Sequence, residues 1–247
     1  MTFARSLLVA GFALATVAAS QAQAQFTSAQ KADMQLNGTA SFNGSSQLVL
    51  TPASGGTSSA FFMTPTATST LTSFDATFDY FIGGGSGADG LALVLQGNGP
   101  GALGGGGGGI GYNGIPNSIG ALFRSYVYNI VQIGDGGNFN GPSTGASIRG
   151  THSVEVSWSS GTQIFSVLLD GATGVSESGV DLAALIGPNM YVGFTAATGG
   201  ANDEHRIDNL TVKTNDVTAT PEPATLALTA TGIMMLAAFK RRRSRNA

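Results

Sequence analysis

The chain has 247 residues, of which 37 are glycine, none is cysteine and 10% are charged, with a formal net charge of −3. That length suits one large all-β domain or two small ones, and the lack of cysteine excludes disulfides, thiolate catalysis and thiolate metal sites together. Short, β-branched and aromatic apolar residues separated by Ser, Thr, Asn and Gly predict strands and turns.

Arg5, the apolar run from Leu7 to Ala19 and Ala22-Gln23-Ala24 have the layout of a secretory signal with a small-x-small cleavage site. Residues 1–24 are therefore expected to be a signal peptide in helical form, the alternative being a buried N-terminal helix. The mature chain then starts near Gln25. Between Gln25 and Thr220 five basic residues face thirteen acidic ones, a net charge of −8 that argues against a nucleic-acid partner.

From Met34 to Val212 the chain reads as short strand-like runs between Gly, Ser, Asn and Pro, with no sustained helical period and no internal repeat. In Phe74 to Ile82 the apolar Phe74, Ala76, Phe78, Tyr80 and Ile82 alternate with Asp75, Thr77 and Asp79, which predicts a strand with one buried face. "GGGSGADGLALVLQ", Gly83 to Gln96, sets one carboxylate, Asp89, before Leu91 to Leu95, whose continuous apolarity predicts a strand covered on both faces. Further strands are expected over Ser118 to Tyr128, Ser153 to Ser159, Ile164 to Leu169, Tyr191 to Ala196 and His205 to Val212. Ser159-Ser160-Gly161-Thr162 would close a hairpin over Ser153 to Leu169. A short helix is expected at Asp181 to Ile186 with Asp181 as its N-cap. Many strands with no helices between them argue an antiparallel two-sheet sandwich. The domain is placed at residues 25–213 and a linker at 214–220.

Pro221-Glu222-Pro223 then precedes an apolar run of 16 residues, Ala224 to Phe239, and the cluster Lys240, Arg241, Arg242, Arg243 and Arg245. The run is shorter than the roughly 20 residues of a comfortable membrane helix, and the basic cluster would hold its end on the cytoplasmic side. These parts resemble the PEP-CTERM sorting signal of Gram-negative bacteria. The resemblance implies that residues 221–247 are a transmembrane sorting segment read by an exosortase, with Pro221, Glu222, Pro223, Arg241, Arg242 and Arg243 as its motif. It implies transient anchoring in the inner membrane with the domain in the periplasm, then release to the cell surface or extracellular matrix. An ordinary C-terminal anchor is the alternative.

Within the domain, Ser59-Ala60-Phe61-Phe62, "FDATFDYFI" (Phe74 to Ile82), "GADGLALVLQ" (Gly87 to Gln96), "GIGYNGIPNSIG" (Gly109 to Gly120), "DLAALIGPNMYVGFTAATGG" (Asp181 to Gly200) and "EHRIDNLTV" (Glu204 to Val212) occur in order. This series resembles the legume-type (L-type) lectins, which implies a jelly-roll, concanavalin A-like sandwich and a carbohydrate-binding function. By that resemblance Asp89 accepts hydrogen bonds from two sugar hydroxyls, a role an ionised acceptor fills well. On local chemistry alone the favoured reading is that Asp89 caps a Gly-rich turn through its side chain. The resemblance also places Gly107, in the Gly104 to Gly109 run, where a backbone N–H approaches the sugar, and Gly199 and Gly200 in a variable loop shaping the pocket. It sets Asn129 beside them and Tyr126 as an aromatic platform, a core role being open for Tyr126.

One departure changes the expected chemistry. Family members that hold calcium and a transition metal carry Glu-Phe-Asp where this chain has Leu122-Phe123-Arg124. Leu122 cannot ligate a metal and Arg124 puts a cation in an anion's place, so no dinuclear site and no cofactor is expected despite Asp135, Asn129 and Asn138 nearby. Arg124 is expected to neutralise Asp89 or Asp135 instead. In the family the peptide before the "GADG" aspartate is cis and metal-supported, so the state of Ala88-Asp89 is left open.

Catalysis has little support in the residues. No Gly-x-Ser-x-Gly elbow occurs with partners for its serine, and there is no His-Glu-x-x-His. Asp75 and Asp79 stand about 13 Å apart on an extended strand, too far to pair as glycosidase carboxylates. The expectation is an exported, metal-independent lectin-like protein, not an enzyme, binding a polysaccharide; the resemblance makes a homodimer possible, since the family often pairs, but the sequence does not fix the oligomeric state. The alternative is a structural matrix protein that has lost sugar binding.

Overall fold

The computed structural model describes residues 25–217. The expected signal peptide (1–24), the sorting segment (221–247) and the last three linker residues lie outside the described residues. Among those described, no helix is long and apolar enough to cross a membrane.

After a short helix α1 (Ser28–Ala32), the strands in chain order are β1 (Met34–Gly38), β2 (Ser41–Phe42), β3 (Leu48–Thr51), β4 (Thr57–Phe62), β5 (Thr66–Ala67), β6 (Leu71–Gly83), β7 (Gly90–Gln96), β8 (Ser118–Arg124), β9 (Ile130–Asp135), β10 (Ser143–Gly145), β11 (Gly150–Ser159), β12 (Ile164–Leu169), β13 (Thr173–Ser178), β14 (Asn189–Ala197) and β15 (Glu204–Asp216). Helix α2 (Leu182–Ile186) precedes β14, and a 3₁₀ turn spans Gly107–Gly109. The front sheet runs β1-β4-β14-β7-β8-β9-β10 with β5 beside β14, and the back sheet runs β13-β12-β11-β6-β15-β3-β2. All pairings are antiparallel, so the expected all-β, two-sheet jelly-roll sandwich is the fold.

The alternation in β6 does what its spacing predicts: Phe74, Ala76, Phe78, Tyr80 and Ile82 are buried between the sheets. Leu91, Leu93 and Leu95 of β7 meet them from the front sheet. Successive side chains of a strand point to opposite faces, so Ala92 and Val94 project outward, into a second apolar cluster with Phe61, Ile110, Tyr112 and Leu122. The apolar run of β7 is thus covered on both faces, the outer cover being the segment around Tyr112. An aromatic cluster fixes the sheet-to-sheet contact, with Phe78 edge-on to Phe123 (6.2 Å, 83°) and Phe194 (5.0 Å, 76°), and Tyr80 against Phe123 at 4.9 Å. Each such pair adds about 1 kcal/mol beyond burial.

The hairpin is formed by β11 and β12 in the register Val154↔Leu169 to Ser159↔Ile164, turning through residues 160–163. Asp181 caps α2, its carboxylate accepting the Ala184 N–H at 3.1 Å. Two boundaries differ from expectation. The strand expected over Ser118 to Tyr128 ends at Arg124, because residues 125–128 turn away at the sheet's end. The expected linker begins inside β15, which runs on to Asp216 because Lys213, Thr214 and Asn215 still pair with Asp75, Phe74 and Ser73 of β6.

Candidate functional site

Asp89 sits where the Gly-rich loop 84–89 enters β7, and its backbone is clamped on both sides. Its N–H donates to Ala197 O at 3.2 Å, and its carbonyl accepts from the N–H groups of Ser125 (3.0 Å) and Tyr126 (3.4 Å). The Ala88–Asp89 peptide, left open by the sequence, is cis. Gly90 must be glycine: at φ 144° any Cβ would lie 2.2 Å from Phe123 O.

Three loops meet at the Asp89 carboxylate. A Cβ placed on Gly199 would lie 3.2 Å from Asp89 Oδ2, and one on Gly107 would lie 3.9 Å from it. Asp89, Gly107 and Gly199, named from positions up to 110 apart in the chain, therefore surround one point. The residue is 6% exposed, and Oδ2 is buried without a hydrogen-bond partner. The backbones of Gly107 and Gly199 approach this oxygen, and neither presents a side chain beside it. Burial raises the Asp89 pKa above the usual carboxylate range, opposed in part by the Gly199 N–H and by the charge of Arg124.

The other expected residues are placed differently. Gly200 has open space where a Cβ would project, and no contact ties it to Asp89. Tyr126 is 49% exposed, so the core role left open for it does not hold. It forms the tip of the turn with Val127 (77% exposed) and Tyr128 (55%). Asn129 is exposed in the left-handed region (φ 47°); its carbonyl accepts from Ala146 N–H, and no hydrogen bond joins its side chain to Asp89.

Leu122 is fully buried in the outer apolar cluster, packed with Tyr112. The Arg124 guanidinium lies over the rings of Tyr128 (4.1 Å) and Phe139 (4.2 Å), and its Nη1 donates to Gln132 Oε1 at 3.2 Å. The expected ion pair of Arg124 with Asp89 or Asp135 is not formed; the aromatic contacts hold the side chain instead. Among the described residues no group of three or more His, Asp or Glu side chains is arranged to hold a metal ion.

What steadies the Asp89 loop was not visible in the sequence. Asp203, fully buried, accepts two hydrogen bonds from Arg149, Nε to Oδ2 and Nη2 to Oδ1, both 2.9 Å, and a third from Gly85 N–H at 2.9 Å. Asn202 O accepts from Ser86 N–H (2.6 Å) and Gly87 N–H (3.1 Å), and Ser86 Oγ accepts from Asn202 N–H (2.9 Å). The loop bearing Asp89 and the loop bearing Gly199 are thus fastened to each other. Charge-assisted bonds of this kind contribute about 1.5–3 kcal/mol each in protected positions.

Neither histidine offers a free base. His152 Nδ1 lies 2.7 Å from Asp170 Oδ2 and its Nε2 lies 3.2 Å from Arg149 O. His205 is fully buried, with Nδ1 2.5 Å from Thr51 Oγ1.

No family model matches the chain. Among solved structures it is similar to the lectin UEA-II complexed with galactose (TM-score 0.68, 20% identity, covering 78% of this chain and 97% of that one). It is also similar to basic winged bean lectin with Tn-antigen (TM-score 0.66, 21% identity, 79% and 98%). A third is arcelin-5, a lectin-like defense protein from Phaseolus vulgaris (TM-score 0.66, 18% identity, 74% and 93%). At these identities the likeness establishes the architecture: residues 25–217 have the jelly-roll sandwich fold of the legume lectins.

Proposed function

We propose that the domain is a carbohydrate-binding module that takes saccharide hydroxyls at Asp89, between the backbones of Gly107 and Gly199, without a metal ion. The observation that carries this reading is the Oδ2 oxygen, buried and without a donor, at the meeting point of three loops. An unpaired buried acceptor costs about 1–3 kcal/mol, a cost that two vicinal hydroxyls would remove. The galactose complex of UEA-II and the Tn-antigen complex of the winged bean lectin support the saccharide class. Tyr126, standing exposed on the adjoining turn, would offer its ring to the apolar face of a sugar. Gly200 and Asn129 would contribute from the rim. The module binds and does not catalyse: both nitrogens of His152 are engaged and His205 is sealed.

The sequence patterns at the two ends extend the proposal. The chain would be exported by its N-terminal signal, held transiently in the inner membrane, recognised by an exosortase at Pro221-Glu222-Pro223, and released to bind a polysaccharide at the cell surface or in the matrix. Two copies would pair through their sheets.

The test is a glycan array followed by calorimetry, with and without EDTA. Wild type should bind equally in both, and Asp89→Asn should weaken binding by about tenfold or more, the equivalent of one charge-assisted hydrogen bond. Loss of binding in EDTA would overturn metal independence. A second reading, a structural matrix protein on a lectin scaffold, is favoured by the near-complete cover of Asp89 at 6% exposure. Absence of binding to any glycan, the host's own polysaccharide included, would decide for it.

A further inference from the structure

Five cations occur between Gln25 and Thr220. Arg149 is paired with Asp203 and Arg206 with Glu204. Lys31 donates to Ser46 Oγ and lies over the Phe42 ring, and Lys213 is exposed on β15. Arg124 differs from all of them. It is half-buried, has no carboxylate partner among the described residues, and is held by two aromatic rings that use none of its N–H donors. Only one N–H is spent, on Gln132 Oε1. Gln132 is fixed in turn, its Nε2 donating to Phe139 O at 3.1 Å. The guanidinium is therefore locked in orientation with most of its fork unused.

Its place in the sheet matters. Arg124 is the cross-strand partner of Gly90, the residue after Asp89, and the two residues after Arg124 donate to the Asp89 carbonyl. The cation and the carboxylate flank the same stretch of backbone without closing on each other.

We propose that Arg124 is an anion subsite beside Asp89, so that the ligand is an acidic saccharide whose hydroxyls meet Asp89 while its carboxylate or sulfate meets the guanidinium fork. This rests on the reading of Asp89 as the hydroxyl acceptor. The chemistry fits: a planar guanidinium engages a carboxylate or sulfate through two parallel N–H bonds, and orientation by aromatic stacking removes part of the entropy lost on binding. The domain's net charge of −8 adds a constraint, since a densely charged polyanion would be repelled as a whole. The ligand is a chain with isolated acidic residues.

The experiment titrates matched monosaccharides into ¹⁵N-labelled domain: methyl β-glucoside, methyl β-glucuronide and glucose 6-sulfate, with the corresponding galactose set. In wild type the preferred acidic form should bind about 10- to 100-fold more tightly than its neutral parent, as expected for a charge-assisted bidentate contact. Whether the uronate or the sulfate ester gains more identifies the anion. The acidic sugar should shift the Arg124 Nε–H resonance and the neutral one should not. Arg124→Gln should abolish the preference, read as the ratio of acidic to neutral affinity within the variant at a pH where Asp89 is ionised, and Arg124→Lys should restore only part of it. Equal affinity for acidic and neutral forms in wild type, or a preference that survives Arg124→Gln, overturns the subsite and leaves the Asp89 reading standing. A perturbed Arg124 resonance with Asp89, Gly107 and Gly199 unmoved overturns the shared site. No response from any saccharide overturns both.

Discussion

His205 gives the sharpest quantitative expectation. The Thr51 hydroxyl donates its one proton to Asp203 O at 3.2 Å, so the contact between Thr51 Oγ1 and His205 Nδ1 must have the ring N–H as donor. That assignment leaves the Nε2 lone pair buried without a partner. Burial lowers the pKa from 6.5 to about 4, with the nearby Asp203 charge opposing the shift. Above pH 6.5 the ring is neutral in both folded and unfolded chains, and stability is independent of it. As pH falls from 6.5 the unfolded chain gains a proton that the folded chain refuses, until protonation of the folded state near pH 4 levels the curve. At about 1.36 kcal/mol per pKa unit, this interval removes roughly 3 kcal/mol of stability, a large fraction of a typical domain's total.

The assay is urea denaturation between pH 7 and pH 4 for wild type and His205→Asn, whose side-chain amide can still donate to Thr51. Taking the difference cancels the carboxylates, which pull in opposite senses. Asp89 and Glu177 are raised by burial, while Asp170, despite burial, is lowered by its bonds to His152 and Ser153. Wild type should lose about 3 kcal/mol more than the variant. Parallel curves, or an NMR titration of the His205 ring with a midpoint near 6.5, would refute the argument.

Other expectations are more local. Asp181→Ala removes the cap of α2 and should lower stability by about 1 kcal/mol, read from the denaturation midpoint. Val127 holds φ 67° with its side chain 77% exposed, so Val127→Asn should raise stability by about 0.5–1 kcal/mol in the same assay. Arg149→Gln strips the buried Asp203 of its charged partner; it should cost about 2 kcal/mol and speed hydrogen exchange at Gly85 and Gly87. Because the Asp89 pKa is raised, saccharide binding should fall as pH drops through that raised value, since the protonated carboxyl is the poorer acceptor; calorimetry across pH 7 to 4 checks it.

The sheets were legible wherever burial imposes a period. Alternation in β6, the unbroken run of β7 and the Asp181 cap each follow from interactions within a few residues. The strands that went unnamed are short or edge-placed, such as β10 with Ser143, Thr144 and Gly145, where no buried face writes a pattern. Tyr126 falls within the expected strand because Tyr126, Val127 and Tyr128 continue the apolar run past Arg124; only the sheet's end turns the chain there. In the site, Asp89 stood out because a lone carboxylate beside glycines needs a reason. Asp203 did not, because its partners lie 54 and 118 positions away and no short-range rule joins them. The Arg124 setting is hidden for the same reason: Gln132 stands on the neighbouring β9 and Phe139 on the turn that follows it, whereas electrostatics alone predicts an acidic neighbour.

The segment around Tyr112 lies as an outer garment on a wall that is already finished within. Its ring, with Ile110, packs on Leu122, Ala92 and Val94 of the front sheet from outside, while the aromatic cluster between the sheets is complete without it. Side chains can therefore be added at Gly105 and Gly108, where a Cβ would meet nothing closer than 3.7 Å, and the contour seen by a ligand redrawn, with the interior left untouched. Recognition and foldedness reside in separate layers of one chain, free to diverge at different speeds.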